Sequence, residues 1–170
     1  MDFKSALLTA TAVLAIAAPA RADVAADAQK AINDDYALTC TAVLDPTDAN
    51  VDAAFGWLSS DYVNVDFKGK QTGKDEVIAQ AKQQLKVFHG TKCDNTVESM
   101  TQPDANTIVV VITNKIEGTV QAPDGNHEIN ATNKSQDTWK LAGGKWVNTK
   151  SQDLRALVKV DGNVVQDQGQ

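Results

Sequence analysis

The spacing of apolar positions follows three successive patterns along the chain. Ala6 to Ala18 is an almost unbroken run of Ala, Leu, Val and Ile behind Lys4, and Ala20-Arg21-Ala22 offers small residues at the two positions a signal peptidase reads. The run is about 13 residues, short of the roughly 20 that span a bilayer. Residues 1–22 therefore read as a cleavable signal. They predict a periplasmic or secreted protein, cleaved near Ala22 and without a membrane anchor.

The second pattern is helical. Ala28, Ile32, Tyr36, Cys40 and Val43 recur every three or four residues between Val24 and Leu44, until Asp45-Pro46 stops the helix. A short second helix is expected after Asn50 as N-cap, presenting Val51, Ala54, Phe55 and Leu58. Tyr62 to Phe67 alternates as a strand, with Tyr62, Asn64 and Asp66 on one face. A third helix is expected after Thr72, with Thr72 and Asp75 in capping-box positions. Its stripe is Val77 or Ile78, Ala81, Leu85 and Phe88, and Gly90 closes it.

From Lys92 the pattern is that of strands. Turn signals at Pro103–Asn106, Pro123–Asn126 and Gly143-Gly144 divide four antiparallel segments, the last three running 107–121, 127–141 and 145–159. At about 15 residues each they exceed the common strand length, so bends or bulges should curl the sheet. The expected class is α+β, with three N-terminal helices packed on the concave face of a curved, mainly antiparallel sheet. One domain, 23–161, follows the signal, and 162–170 is expected to be a polar, frayed tail.

Composition narrows the chemistry. A length of 170 residues and a net charge of −6 suit one acidic domain and argue against nucleic acid as a partner. Two His and two Cys are few for a metal site, and neither a metal nor a cofactor is expected. His89 reads as a helix-terminal residue. His127 and Glu128, adjacent on a strand, point to opposite faces. Export would permit a Cys40–Cys93 disulfide, and two unpaired thiols are the alternative. Two glycosylation-like triplets, Asn130-Ala131-Thr132 and Asn133-Lys134-Ser135, fall within an expected strand and read as chance matches.

The element order, with Leu58-Ser59-Ser60-Asp61-Tyr62-Val63, Asp66-Phe67-Lys68-Gly69, Ser135-Gln136-Asp137-Thr138-Trp139-Lys140 and Gly143-Gly144-Lys145-Trp146, resembles the nuclear transport factor 2-like superfamily. That superfamily includes SnoaL-like cyclases and ketosteroid isomerases. The resemblance implies a cone-shaped, cystatin-like roll. It also implies catalytic roles: Asp66 as proton-shuttling base, and Asp137 with Tyr36 as donors to an oxyanion, although Tyr36 lies roughly one to two helical turns further from Asp66 than in that family. In ketosteroid isomerases an apolar site keeps the late-strand Asp protonated, so that it can donate to the oxyanion.

The expected ligand is a small, largely apolar molecule in the cone, touched by Trp57, Tyr62, Asn64 and Trp139, the last sharing strand parity with Asp137. Trp146 is a further candidate for the cavity wall. Two other functions compete with plain binding. One is a cofactor-independent isomerase, cyclase or dehydratase acting on a carbonyl compound. The other is an interaction module with a filled cone that forms a homodimer through the outer sheet face.

Overall fold

Helix α1 (Ala26–Leu44) turns its stripe of Ala28, Ile32, Tyr36 and Val43 inward, and all four are buried. This computed structural model describes residues 24–169; the expected signal segment and its cleavage point lie outside them. No helix among the described residues is long and apolar enough to cross a membrane.

Helix α2 (Asp48–Ala54) starts earlier than its sequence suggested, because Thr47 is the cap: its hydroxyl accepts from the Asn50 amide at 3.2 Å. Asn50 instead turns its side chain back to Asp45, donating to the backbone carbonyl at 2.8 Å and the carboxylate at 2.9 Å. Strand β1 (Leu58–Val65) and the short β2 (Gln71–Gly73) come next, paired antiparallel with Asn64 opposite Thr72. That pairing corrects the expected capping box. Thr72 is held in the ladder, so α3 (Lys74–Leu85) begins from Gly73 with no side-chain cap.

Four long strands complete the chain's main sheet: β3 (Phe88–Asp104), β4 (Thr107–Ala122), β5 (Gly125–Ala142) and β6 (Lys145–Val160), of 16 to 18 residues each. The sheet order is β2-β1-β6-β5-β4-β3, with β1 parallel to β6 and the other neighbours antiparallel. Register shifts interrupt the β3–β4 and β5–β6 ladders. Such bulges bend a strand and raise its twist, giving the curvature expected from strand length. Gly90, expected to close α3, lies inside β3 opposite Gly118; a Cβ on Gly90 would strike the Val43 carbonyl oxygen. The missing side chain lets the end of α1 rest on the strand.

Of the expected polar tail, residues 163–169 form a strand in place of a frayed end. Asp161 and Gly162 both have positive φ, 49° and 81°, and turn the chain into β7 (Asn163–Gly169), antiparallel to β6. An Asp-Gly pair with positive φ at both positions is a two-residue hairpin signal.

The core lies between α1 and the concave face. Ile32, Ile108, Val110 and Trp139 are each 0% exposed. A smaller cluster, Ala42, Val51 and Ala54 with Leu38, Phe55 and Leu85 against it, joins the helices. Cys40 of α1 and Cys93 of β3 form a disulfide with Cα atoms 5.3 Å apart across 53 residues of sequence. Replacing both by Ser should lower unfolding free energy by about 2–4 kcal/mol, the range for closing a loop of that order. Urea unfolding of the two proteins measures it; equal midpoints would show that the bridge contributes no net constraint.

Candidate functional site

Alternation on β5 sends Ser135, Asp137 and Trp139 to the concave face, and the pairing Asp137–Ser151 and Ser135–Asp153 brings β6 residues beside them. Tyr36 reaches the same spot from α1. Its hydroxyl donates to Asp137 Oδ2 at 2.7 Å and accepts from Trp139 Nε1 at 3.1 Å. The Tyr36 ring meets Trp57 and Trp139 edge-on at 5.9 and 5.5 Å, while the two indoles stack at 4.9 Å.

Asp137 is 3% exposed. Burial pushes its carboxyl above the usual aspartate range, against the opposing pull of the Tyr36 hydrogen bond and of the nearby Ser151 and Ser135 hydroxyls, which do not reach hydrogen-bond geometry with it. Burial also raises the Tyr36 phenol, and the neighbouring Asp137 raises it further. The Tyr36 phenol is therefore neutral near pH 7, and Asp137 is shifted toward its protonated form. With Tyr36 donating to Oδ2, a proton taken up by Asp137 would sit on Oδ1. That oxygen is buried and has no hydrogen-bond partner.

Asp137 lines a cavity of about 550 Å³ bounded by α1, β1, α3 and the concave sheet. Tyr36, Trp57, Tyr62 and Asn64 line it as well. Tyr62 is buried, and desolvation carries its phenol up to about 12. Asp153, half-buried, faces the same space; Asn64 Nδ2 approaches its carboxylate at 3.5 Å. Burial raises Asp153 too.

No family model matches the sequence, and no curated protein does. Solved structures do match. A nuclear transport factor 2-like protein from Cytophaga hutchinsonii aligns with TM-score 0.56 and 18% identity over 74% of this chain and 95% of its own. A scytalone dehydratase-like protein from Novosphingobium aromaticivorans gives 0.64 and 11% over 83% and 91%. A ketosteroid isomerase-like protein from Erwinia carotovora atroseptica gives 0.57 and 14% over 81% and 95%. The chain has the nuclear transport factor 2-like fold.

Within this nuclear transport factor 2-like cone, Tyr36, Asp137, Trp57, Tyr62 and Asn64 converge on the cavity. Asp66 does not. Its Oδ1 accepts from the backbone N–H groups of Lys68 at 2.8 Å and Lys70 at 2.9 Å, and those bonds pull its carboxyl below the usual range. It fastens the turn between β1 and β2 and is absent from the cavity wall. Trp139 is also corrected: at 0% exposure it is core, covered by Trp57 and Tyr36. The Tyr36 hydroxyl donates its proton to Asp137 Oδ2, while Trp57 Nε1 and Asp137 Oδ1 are buried without partners. Trp146 packs against the core and lines a separate cleft with Trp57, Leu141 and Asp35. His89 is exposed, and His127 bonds Asp161 at 2.7 Å and Asp124 at 3.1 Å, tying two turns together.

Asp153 and Ser151 escaped the sequence reading for a definable reason. Asn148 is wholly buried, so strict alternation would put 150 and 152 inside. The register shift between Trp139–Asn148 and Thr138–Lys150 adds a residue and turns Ser151 and Asp153 inward instead. Their signal was the polar cross-strand neighbourhood of Asp137, visible only once the register is known.

A raised carboxyl pKa in the folded state means that folding favours the protonated acid. That contribution is fully present below the unfolded value of about 3.9 and is lost as pH rises through the folded value. Asp137→Asn keeps an acceptor for Tyr36 and removes the titration. Wild type should therefore lose stability relative to Asp137→Asn from about pH 4 upward. Urea unfolding across pH tests this, and a pH-independent difference would show that the folded carboxyl titrates normally.

Proposed function

We propose that this protein is an exported domain that binds a small, largely apolar molecule in its cone. The observation that carries the reading is Asp137, a residue of the cavity wall whose Oδ1 is buried just behind that wall without a hydrogen-bond partner. Leaving such a group unpaired costs about 1–3 kcal/mol, which a ligand oxygen would recover. Trp139 donating to Tyr36, and Tyr36 to Asp137, polarises the acid toward donation from Oδ1. A cavity of about 550 Å³ falls within the size of small-molecule sites and favours binding over a cone filled by its own side chains.

Native mass spectrometry of protein from the export compartment tests both parts. The expected chain begins at Asp23 and carries a small molecule that leaves on denaturation. Asp137→Ala should lower occupancy about tenfold, the loss of one buried hydrogen bond. An empty wild-type protein, with no binding by added ketones, overturns the reading.

A second reading, proton transfer on a carbonyl compound, is favoured by Asp153. It is diagonal to Asp137 in the β5–β6 register, about 7–8 Å across the pair, on the same wall. As carboxylate, Asp153 would take a proton from the carbon beside a carbonyl. The C–H electrons then form the enol C=C bond, the carbonyl electrons move to oxygen, and Asp137 Oδ1–H holds the oxyanion. On a substrate the wild type turns over, Asp153→Asn should lose at least about 10²-fold in kcat with KM nearly unchanged. Asp66→Asn should keep wild-type turnover. Full activity in Asp153→Asn would remove it as the base.

A further inference from the structure

The concave face changes polarity along the strands. On β5 the inward positions read Ile129, Ala131, Asn133, Ser135, Asp137, so an apolar end leads into a polar middle. Ile116 is paired with Ala131, and Val158 faces Ala131 from β6. These side chains, with Val43 and Phe88, bound an apolar chamber of about 490 Å³. Thr39, Phe55 and Ala81 line both this chamber and the polar cavity, so the two adjoin. Helix α3 roofs the chamber, yet none of its residues is fully buried. Ala81 and Leu85 of its apolar stripe border this space, Leu85 also packing against the Ala42–Val51–Ala54 cluster.

Charge restricts what can enter. Lys134 and Arg155, the cations on the polar cavity wall among the described residues, are engaged by Glu98 and Asp167. The polar end otherwise offers Asp137 and Asp153. An anionic head would meet carboxyl groups and no unpaired cation.

We propose that the apolar chamber holds the aliphatic part of an uncharged amphiphile whose carbonyl oxygen is bound at Asp137. This rests on the binding reading above and extends it: the ligand is elongated, neutral at its polar end, and selected by chain length. The unpartnered Asp137 oxygen fixes one end, and the chamber beneath α3 receives the other.

The test is a series of 2-alkanones, from 2-pentanone to 2-tridecanone, titrated into the full chain and followed by tryptophan fluorescence and calorimetry. Affinity should rise about fourfold per added methylene until the chamber is filled. Ala131→Phe, which occupies the chamber, should abolish that gain while leaving 2-pentanone binding unchanged; Val158→Phe, from the facing strand, serves if Ala131→Phe does not fold. The alkanoate of matching length should bind at least ten times more weakly. If 2-pentanone binds and longer ketones gain nothing, or the chamber variants keep the gain, the chamber proposal is overturned and the binding reading stands. A tighter alkanoate overturns the neutral head. Failure of every ketone to bind overturns both.

Discussion

The Tyr36 hydroxyl and the Asp137 carboxyl meet at 2.7 Å inside the cone, joining residues 101 positions apart. A carboxyl with 3% exposure could not stay there as an unpaired charge. Burial favours its protonated form, the Tyr36 hydrogen bond offsets part of the cost, and Trp139 donates to Tyr36 in turn. The interaction also orders α1 on the sheet, because the stripe that buries Ala28 and Ile32 must place Tyr36 at that depth. The Cys40–Cys93 bridge fixes the next turn of the same helix to β3. Stability and the candidate site thus share one contact.

Curvature supplies the rest. The long strands shift register at several points, each shift adding bend where an ideal ladder would run flat. Gly90 and Gly118 stand opposite each other where α1 presses on the sheet, and neither position has room for a Cβ. The curled face then offers more length than α1 can cover. Core forms under α1, and the uncovered remainder becomes the polar cavity and the apolar chamber under α3.

The carboxylates show how environment assigns roles to identical side chains. Asp66 is held as an anion by backbone N–H groups in a turn, Asp137 is driven toward neutrality by burial, and Asp153 lies between them in exposure. Groups whose pKa values are pushed apart in one cavity are the ordinary basis for acid and base roles. Asp137 and Asp153 are both raised by burial on one cavity wall, and the carboxyl pushed the other way, Asp66, lies outside it.

The sequence by itself determined the architecture. Apolar spacing of three and four marked α1, alternation and turn pairs marked β4 to β6 almost to their ends, and strand length implied a curled sheet. Tyr36 was legible on the regular stripe of α1, and Asp137 through the motif resemblance around the Gly143-Gly144 turn. The hairpin into β7 was written in Asp161-Gly162 and was obscured by the polarity of the residues after it. Tertiary structure decided matters that depend on partners: Thr72 went to a strand rather than a cap, and Trp139 became core because Trp57 stacks over it. It also placed Asp153 in the cavity rather than Asp66. One extra residue in a bulge reverses which face a strand presents, and a turn carboxylate is claimed by amides that a linear pattern does not display.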